Sequence, residues 1–211
     1  MKKSIHLLCS RRQLPKSILS RKVNENWAGV DSGTIALLEA NIQPKFAVGD
    51  FDSISAQERA WINERININP EPAEKADTDL AIAVNKAVNM GYQTIKIYGA
   101  TGARLDHFMG AMQLLKYPHY QSLKIQIIDD KNVIELLTPG VYKKRHKKMY
   151  DYISFIPTSD EVILSLSGFK YDLHHEVLCE GSTLTISNEF ESHYGVIEVH
   201  KGLVYQIRSR D

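Results

Sequence analysis

A chain of 211 residues with a formal charge of +1 is long enough for one large domain or two modest ones. That balance carries no global field toward nucleic acid or a membrane surface. Its two cysteines, Cys9 and Cys179, lack metal-ligand spacing and read as reduced thiols of a cytoplasmic protein.

The opening Met1-Lys2-Lys3 and the short apolar run behind it faintly resemble a lipoprotein signal. His6 interrupts that run and Arg11-Arg12 follow it, so a first buried strand is expected instead. Nowhere do about 18 apolar residues run together, and no membrane span is expected. From there short apolar runs alternate with helical patterns. Strands are predicted at Ile5–Cys9, Trp27–Asp31, Phe46–Gly49, Ile66–Asn69, Thr94–Tyr98 and Lys124–Asp129. Helices are predicted at Thr34–Ala40, Ala56–Glu64, Asp79–Asn89 and Leu105–Leu115. The third is the clearest, because Leu80, Ala83, Val84, Ala87 and Val88 share one face. Ser55 and Glu58 form a capping-box sequence at the start of the second. Alternation of this kind implies an α/β domain, a Rossmann-like and mostly parallel sheet with flanking helices.

After about Leu137 the helical period disappears. Short β-rich runs replace it at Tyr152–Ile156, Val162–Leu166, Thr183–Ser187, Val196–His200 and Leu203–Ile207. The expected division is an α/β domain over 1–138 and an all-β sandwich over 139–211. The basic run Lys143-Lys144-Arg145-His146-Lys147-Lys148 is expected to be a solvated turn or linker at the junction, not a nucleic-acid site.

Six acidic residues stand at the ends of apolar segments: Asp31, Asp50, Asp52, Asp77, Asp79 and Asp106. Phe46-Ala47-Val48 runs straight into Gly49-Asp50-Phe51-Asp52-Ser53, a strand ending in a turn that presents two carboxylates. In open α/β sheets, ligands bind outside the carboxyl ends of the strands, so these residues should gather there. Magnesium takes hard oxygen ligands and bridges to substrate phosphates. Each acid also has a plainer reading as turn or cap chemistry; for Asp77, Thr78 and Asp79 that reading is the cap of a helix. Gly99-Ala100-Thr101-Gly102 joins a strand to a helix and offers backbone N–H groups to an anion, with Arg104 able to fork onto phosphate oxygens. The Gly-Lys-Ser/Thr ending of a P-loop is missing. No zinc spacing and no Ser-His-Asp signature occur.

Taken in order, Val30-Asp31-Ser32-Gly33, Gly49–Ser53, Lys75-Ala76-Asp77-Thr78-Asp79 and Gly99–His107 resemble the thiamine pyrophosphokinase family. Tyr152–Pro157, Gly168-Phe169-Lys170-Tyr171 and Ile186-Ser187-Asn188-Glu189 extend the resemblance over nearly the whole chain. The resemblance implies a magnesium-dependent transfer of the β,γ-diphosphoryl unit of ATP, the co-substrate, to the hydroxyl of thiamine. It implies a homodimer with the active site between subunits. By the same resemblance, Asp50, Asp52, Asp79 and Asp106 are catalytic candidates, and the first three are Mg2+ ligands. Asp31, Lys75, Thr78, Gly99, Thr101, Gly102 and Arg104 would hold ATP, while Ser187 and Asn188 would meet thiamine. The chain departs from the pattern at Ala76, where an acid is common, at Ala81, where Glu is frequent, and at Ala103, which replaces a second glycine. Two rival readings are a phosphatase of the haloacid dehalogenase type, which also uses Asp-x-Asp after a strand, and a sensor that binds ligands without turnover.

Overall fold

The computed structural model describes residues 3–51, 55–66 and 77–211. The chain divides into two compact units, Met1–Asp130 and Lys131–Asp211. The expected strand over 66–69 and the site candidates Asp52 and Lys75 lie outside the described residues, apart from Ile66, which is not in a strand.

In the first unit the elements run β1 (Ser4–Leu8), α1 (Ile18–Arg21), β2 (Trp27–Val30), α2 (Ser32–Glu39), β3 (Ala47–Val48), α3 (Ala56–Asn63), α4 (Asp79–Asn89), β4 (Thr94–Tyr98), α5 (Leu105–Leu115) and β5 (Lys124–Ile128). The strands pair in parallel in the order β3-β2-β1-β4-β5. β2 is buried at every position and β1 at all but its first, as strands covered on both faces must be. Leu8, Trp27 and Tyr98 from neighbouring strands pack with Ile18, Ala36, Leu37 and Ile42. Leu38, Phe51 and Ile62 join α2, the loop after β3 and α3 in a second cluster.

Helix starts follow their sequence signals. Ser55 and Glu58 complete the capping box of α3. The Thr78 hydroxyl accepts from the Ala81 N–H at 3.3 Å to open α4, which buries Ala83, Val84 and Ala87.

The second unit contains β6 (Asn132–Leu137), β7 (Gly140–Arg145), β8 (Tyr152–Pro157), β9 (Glu161–Ser167), β10 (Leu173–Cys179), β11 (Tyr194–Lys201) and β12 (Val204–Ser209). β12 pairs antiparallel with both β6 and β8. The other ladder runs β10-β9-β11-β7, also antiparallel. Ile153, Phe155 and Val204 from the first ladder and Val162, Leu164, Leu166, Ile197 and Val199 from the second share one core. Two antiparallel sheets around one core make the expected sandwich.

The two compact units part at Asp130/Lys131, with β6 in the second unit, where it pairs with β12, a partner some seventy residues on. Two expectations need correction. The basic run is no linker: Lys143, Lys144 and Arg145 belong to β7, an edge strand paired with β11. Lys on an edge strand is a common guard against unwanted pairing. Thr183–Ser187 forms no strand. It follows β8 through irregular bonds, such as Phe155 N–H to the Thr185 carbonyl at 3.0 Å. The left-handed backbone at Ser187 (φ 58) is incompatible with continuing a ladder. The sequence reading did not pick out α1, β6, β7 or β10.

Candidate active site

Strand order turns back at β1: β2 and β3 lie on one side of it, β4 and β5 on the other. Ligands bind at such a switch point, beyond the carboxyl ends of the strands. A cleft of about 600 Å³ opens there. Cys9, Ser10 and Arg12 line it from the loop after β1, Asp31 and Ser32 from that after β2, and Asp50 from that after β3. Asp77, Thr78 and Asp79 enter at the start of α4, and Gly99, Ala100, Ala103 and Arg104 after β4.

One wall is acidic. Asp31 stands at the N-cap of α2 with φ 47 and ψ −126, a conformation that strains any residue with a Cβ. Its carboxylate lies so close to Gly49 that a Cβ there would sit 2.1 Å from Oδ1. Glycine is therefore needed for the turn after β3 to approach, and the approach brings Asp50 to the same cleft as Asp31. Thr78 lines the wall while its hydroxyl caps α4, and Asp79 begins that helix. Among the described residues no three His, Cys, Asp or Glu side chains assemble as a metal cage. The oxygen-only wall of Asp31, Asp50 and Asp79 suits a hard cation held by one or two carboxylates and completed by substrate phosphate, which is how magnesium is usually bound.

Facing it is the loop after β4. Gly99 has φ 69, and a Cβ there would meet the Ser10 carbonyl oxygen at 2.1 Å. The Ser10 hydroxyl donates to the Gly99 carbonyl at 2.7 Å, so the ends of the two switch-point strands are tied together. Thr101 and Gly102 do not line the cleft. The Thr101 hydroxyl bonds Asp129 (2.9 Å) and Gln13 (3.1 Å), and Gly102 lies against Gln13. Both brace the loop.

Arg104 reaches the cleft, and its guanidinium forks onto Asp106 at 3.1 and 2.6 Å. That hydrogen-bonded cation holds the Asp106 carboxyl down at about 2, and the carboxylate in turn raises the Arg104 pKa. Asp106 is thus the partner of Arg104 and does not line the cleft with the other acids.

Ser187 and Asn188 belong to the second unit. Asn188 is buried, and both ends of its carboxamide are engaged: Oδ1 accepts from Tyr171 N–H (3.1 Å) and Glu189 N–H (2.9 Å), while Nδ2 donates to the Tyr171 carbonyl (2.8 Å). Ser187 is exposed, and its backbone N–H donates to the Ser154 hydroxyl at 2.9 Å.

The sequence reading missed Cys9, Ser10, Arg12 and His107 in the cleft. Cys9-Ser10-Arg11-Arg12 does follow the first strand, but only the strand order makes that loop central. The Cys9 thiol is pushed up to about 12 by burial and by Asp31, both of which disfavour a thiolate.

Residues 20–127 match the family model of the thiamin pyrophosphokinase catalytic domain, and 141–204 that of its vitamin B1 binding domain. Thiamine pyrophosphokinase of Bacillus subtilis (strain 168) is 43% identical over 187 residues, 88% of this chain and 87% of that protein. Among solved structures, thiamine pyrophosphokinase from Bacillus subtilis superposes with a TM-score of 0.91 at 39% identity, covering 99% of this chain and 100% of that one. The thiamin pyrophosphokinase of Geobacillus thermodenitrificans gives 0.88 at 38% identity, covering 99% and 98%. Two domain matches in chain order and this identity over most of both chains lead to one conclusion: the chain belongs to the thiamine pyrophosphokinase family.

Proposed function

We propose that this chain transfers the β,γ-diphosphoryl unit of ATP to the hydroxyl of thiamine, releasing AMP and thiamine diphosphate. The observation that carries the reading is the switch-point cleft, where an acidic wall from three elements faces a glycine loop and an arginine. Asp50 and Asp79, with Asp52 outside the described residues, are the groups that would hold Mg2+. Bound there, it would supply charge neutralisation to the polyphosphate. The chain's own residues then position. The Gly99–Ala100 backbone cradles phosphate oxygens, and Arg104 exchanges Asp106 for phosphate. As the thiamine oxygen bonds to the β-phosphorus, the bond to the α-phosphate oxygen breaks and AMP departs. Ser187 offers its hydroxyl to thiamine, and Asn188 acts by holding the Tyr171 and Glu189 backbone in place.

The reading includes a homodimer with the site shared between subunits. It is supported by exposed apolar side chains on the β10-β9-β11-β7 sheet, Val141, Val177, Tyr194 and Val196, which a partner could cover. It also includes a cytoplasmic location, supported by two free cysteines. Among the described residues no helix is long and apolar enough to cross a membrane. The phosphatase alternative places its Asp-x-Asp after the first strand, whereas Asp50 follows β3 at the sheet edge. Chromatography of nucleotides after incubation with ATP and magnesium, with and without thiamine, tests the proposal. AMP and thiamine diphosphate should appear together and only with thiamine. ADP or phosphate formed without thiamine would overturn it.

A further inference from the structure

Among the described residues the cleft is lined by Asp31, Asp50, Asp77 and Asp79 and by two arginines, Arg12 and Arg104. A nucleoside triphosphate entering it needs cations, and Arg104 is already held by Asp106 through two hydrogen bonds. Arg12 differs from its neighbours. Arg11 pairs with Glu39 on α2, whereas among the described residues the Arg12 guanidinium has neither a hydrogen-bond nor an ion-pair partner.

Its backbone, by contrast, is well anchored. The Arg12 N–H donates to the Ser10 hydroxyl at 3.2 Å, and that hydroxyl donates to the Gly99 carbonyl at 2.7 Å. On the other side, Gln13 accepts from Thr101 through its side chain (3.1 Å) and from Asp130 N–H through its carbonyl (2.8 Å). The loop after β1 is thus laced to the glycine loop after β4 both before and after Arg12. Fixed backbone, unengaged planar fork and a place on the cleft wall are what a phosphate-binding arginine requires.

We propose that Arg12 is a positioning residue for the nucleotide polyphosphate, engaging ATP while Arg104 is still bound to Asp106. This inference rests on the pyrophosphokinase reading above. Arg12→Ala should raise the KM for ATP by about tenfold, equivalent to ~1.4 kcal/mol, and leave that for thiamine nearly unmoved. Arg12→Lys should fall between, keeping the charge and losing the fork. Calorimetric titration in magnesium with ATP and with AMP separates the contact: ATP should weaken in Arg12→Ala and AMP should not. Thermal unfolding should be unchanged, since the side chain is exposed. An unmoved KM for ATP, equal weakening of ATP and AMP, or a lowered melting temperature that Arg12→Lys restores without restoring ATP affinity would each overturn the assignment. If wild-type protein bound ATP yet formed no AMP with thiamine, the parent reading would fail while the Arg12 titration stayed readable.

Discussion

The two units use motif residues in opposite ways. In the first, parallel strands end together, and the loops beyond them carry Asp31, Asp50 and Asp79 onto one cleft wall. In the second, antiparallel strands surround an apolar core, and the polar residue most suggestive of ligand contact, Asn188, is buried and hydrogen-bonded to the Tyr171 and Glu189 backbone. A polar side chain in a motif can therefore serve ligand or backbone, and the topology around it decides which. Strand ends at a switch point leave side chains facing a crevice, while a loop crossing the edge of a sandwich must satisfy its own backbone.

The largest effect expected from this contrast is on the acidic wall. Asp50→Asn should lower turnover by about 10²–10³-fold by weakening preorganised charge, with the circular dichroism spectrum unchanged. Activity near wild type would mean that the wall is as structural as Asn188. In the second unit the order reverses. Asn188→Ala should cost about 2–4 kcal/mol in chemical denaturation, because it removes three hydrogen bonds made by a buried side chain. Ser187→Ala, at an exposed side chain, should cost less than about 0.5 kcal/mol and instead raise the KM for thiamine. A stability loss at Ser187 equal to that at Asn188 would remove the distinction between the two.

A smaller effect separates the core of the first unit from its cleft. His6 is fully buried between Trp27 and Tyr98 and hydrogen-bonded to Glu25. Burial lowers its pKa below the ordinary 6.5, outweighing the raising influence of Glu25. The unfolded chain then binds the proton more readily, so stability is lost as pH falls below 6.5 toward the lowered native value. Unfolding free energies measured between about pH 7 and 5 should decline, and His6→Phe should flatten that slope. An unaltered slope would assign the decline to other groups.

Local signals read well wherever the physics is local. The period of Leu80–Val88 located α4 to the residue, and the Ser55–Glu58 box located the start of α3. The acids after β2 and β3 and the glycine loop after β4 were legible as a set, because a strand end followed by a turn is a pattern within a few residues. The bond of the Thr101 hydroxyl to Asp129, twenty-eight positions away, was not legible in the sequence.

What the amino-acid order determined by itself was therefore the alternation of elements, the change to β-structure in the last third and the kinds of side chain offered at each strand end. Only the tertiary structure decided that β1 is the switch-point strand, which makes Arg12 a cleft residue. It alone paired β6 with β12, so that the first unit ends at Asp130. The physical reason is sequence distance. Periodicity and capping act over a few residues of one segment, whereas strand order and strand pairing are settled by surfaces that meet only after the chain has closed long loops.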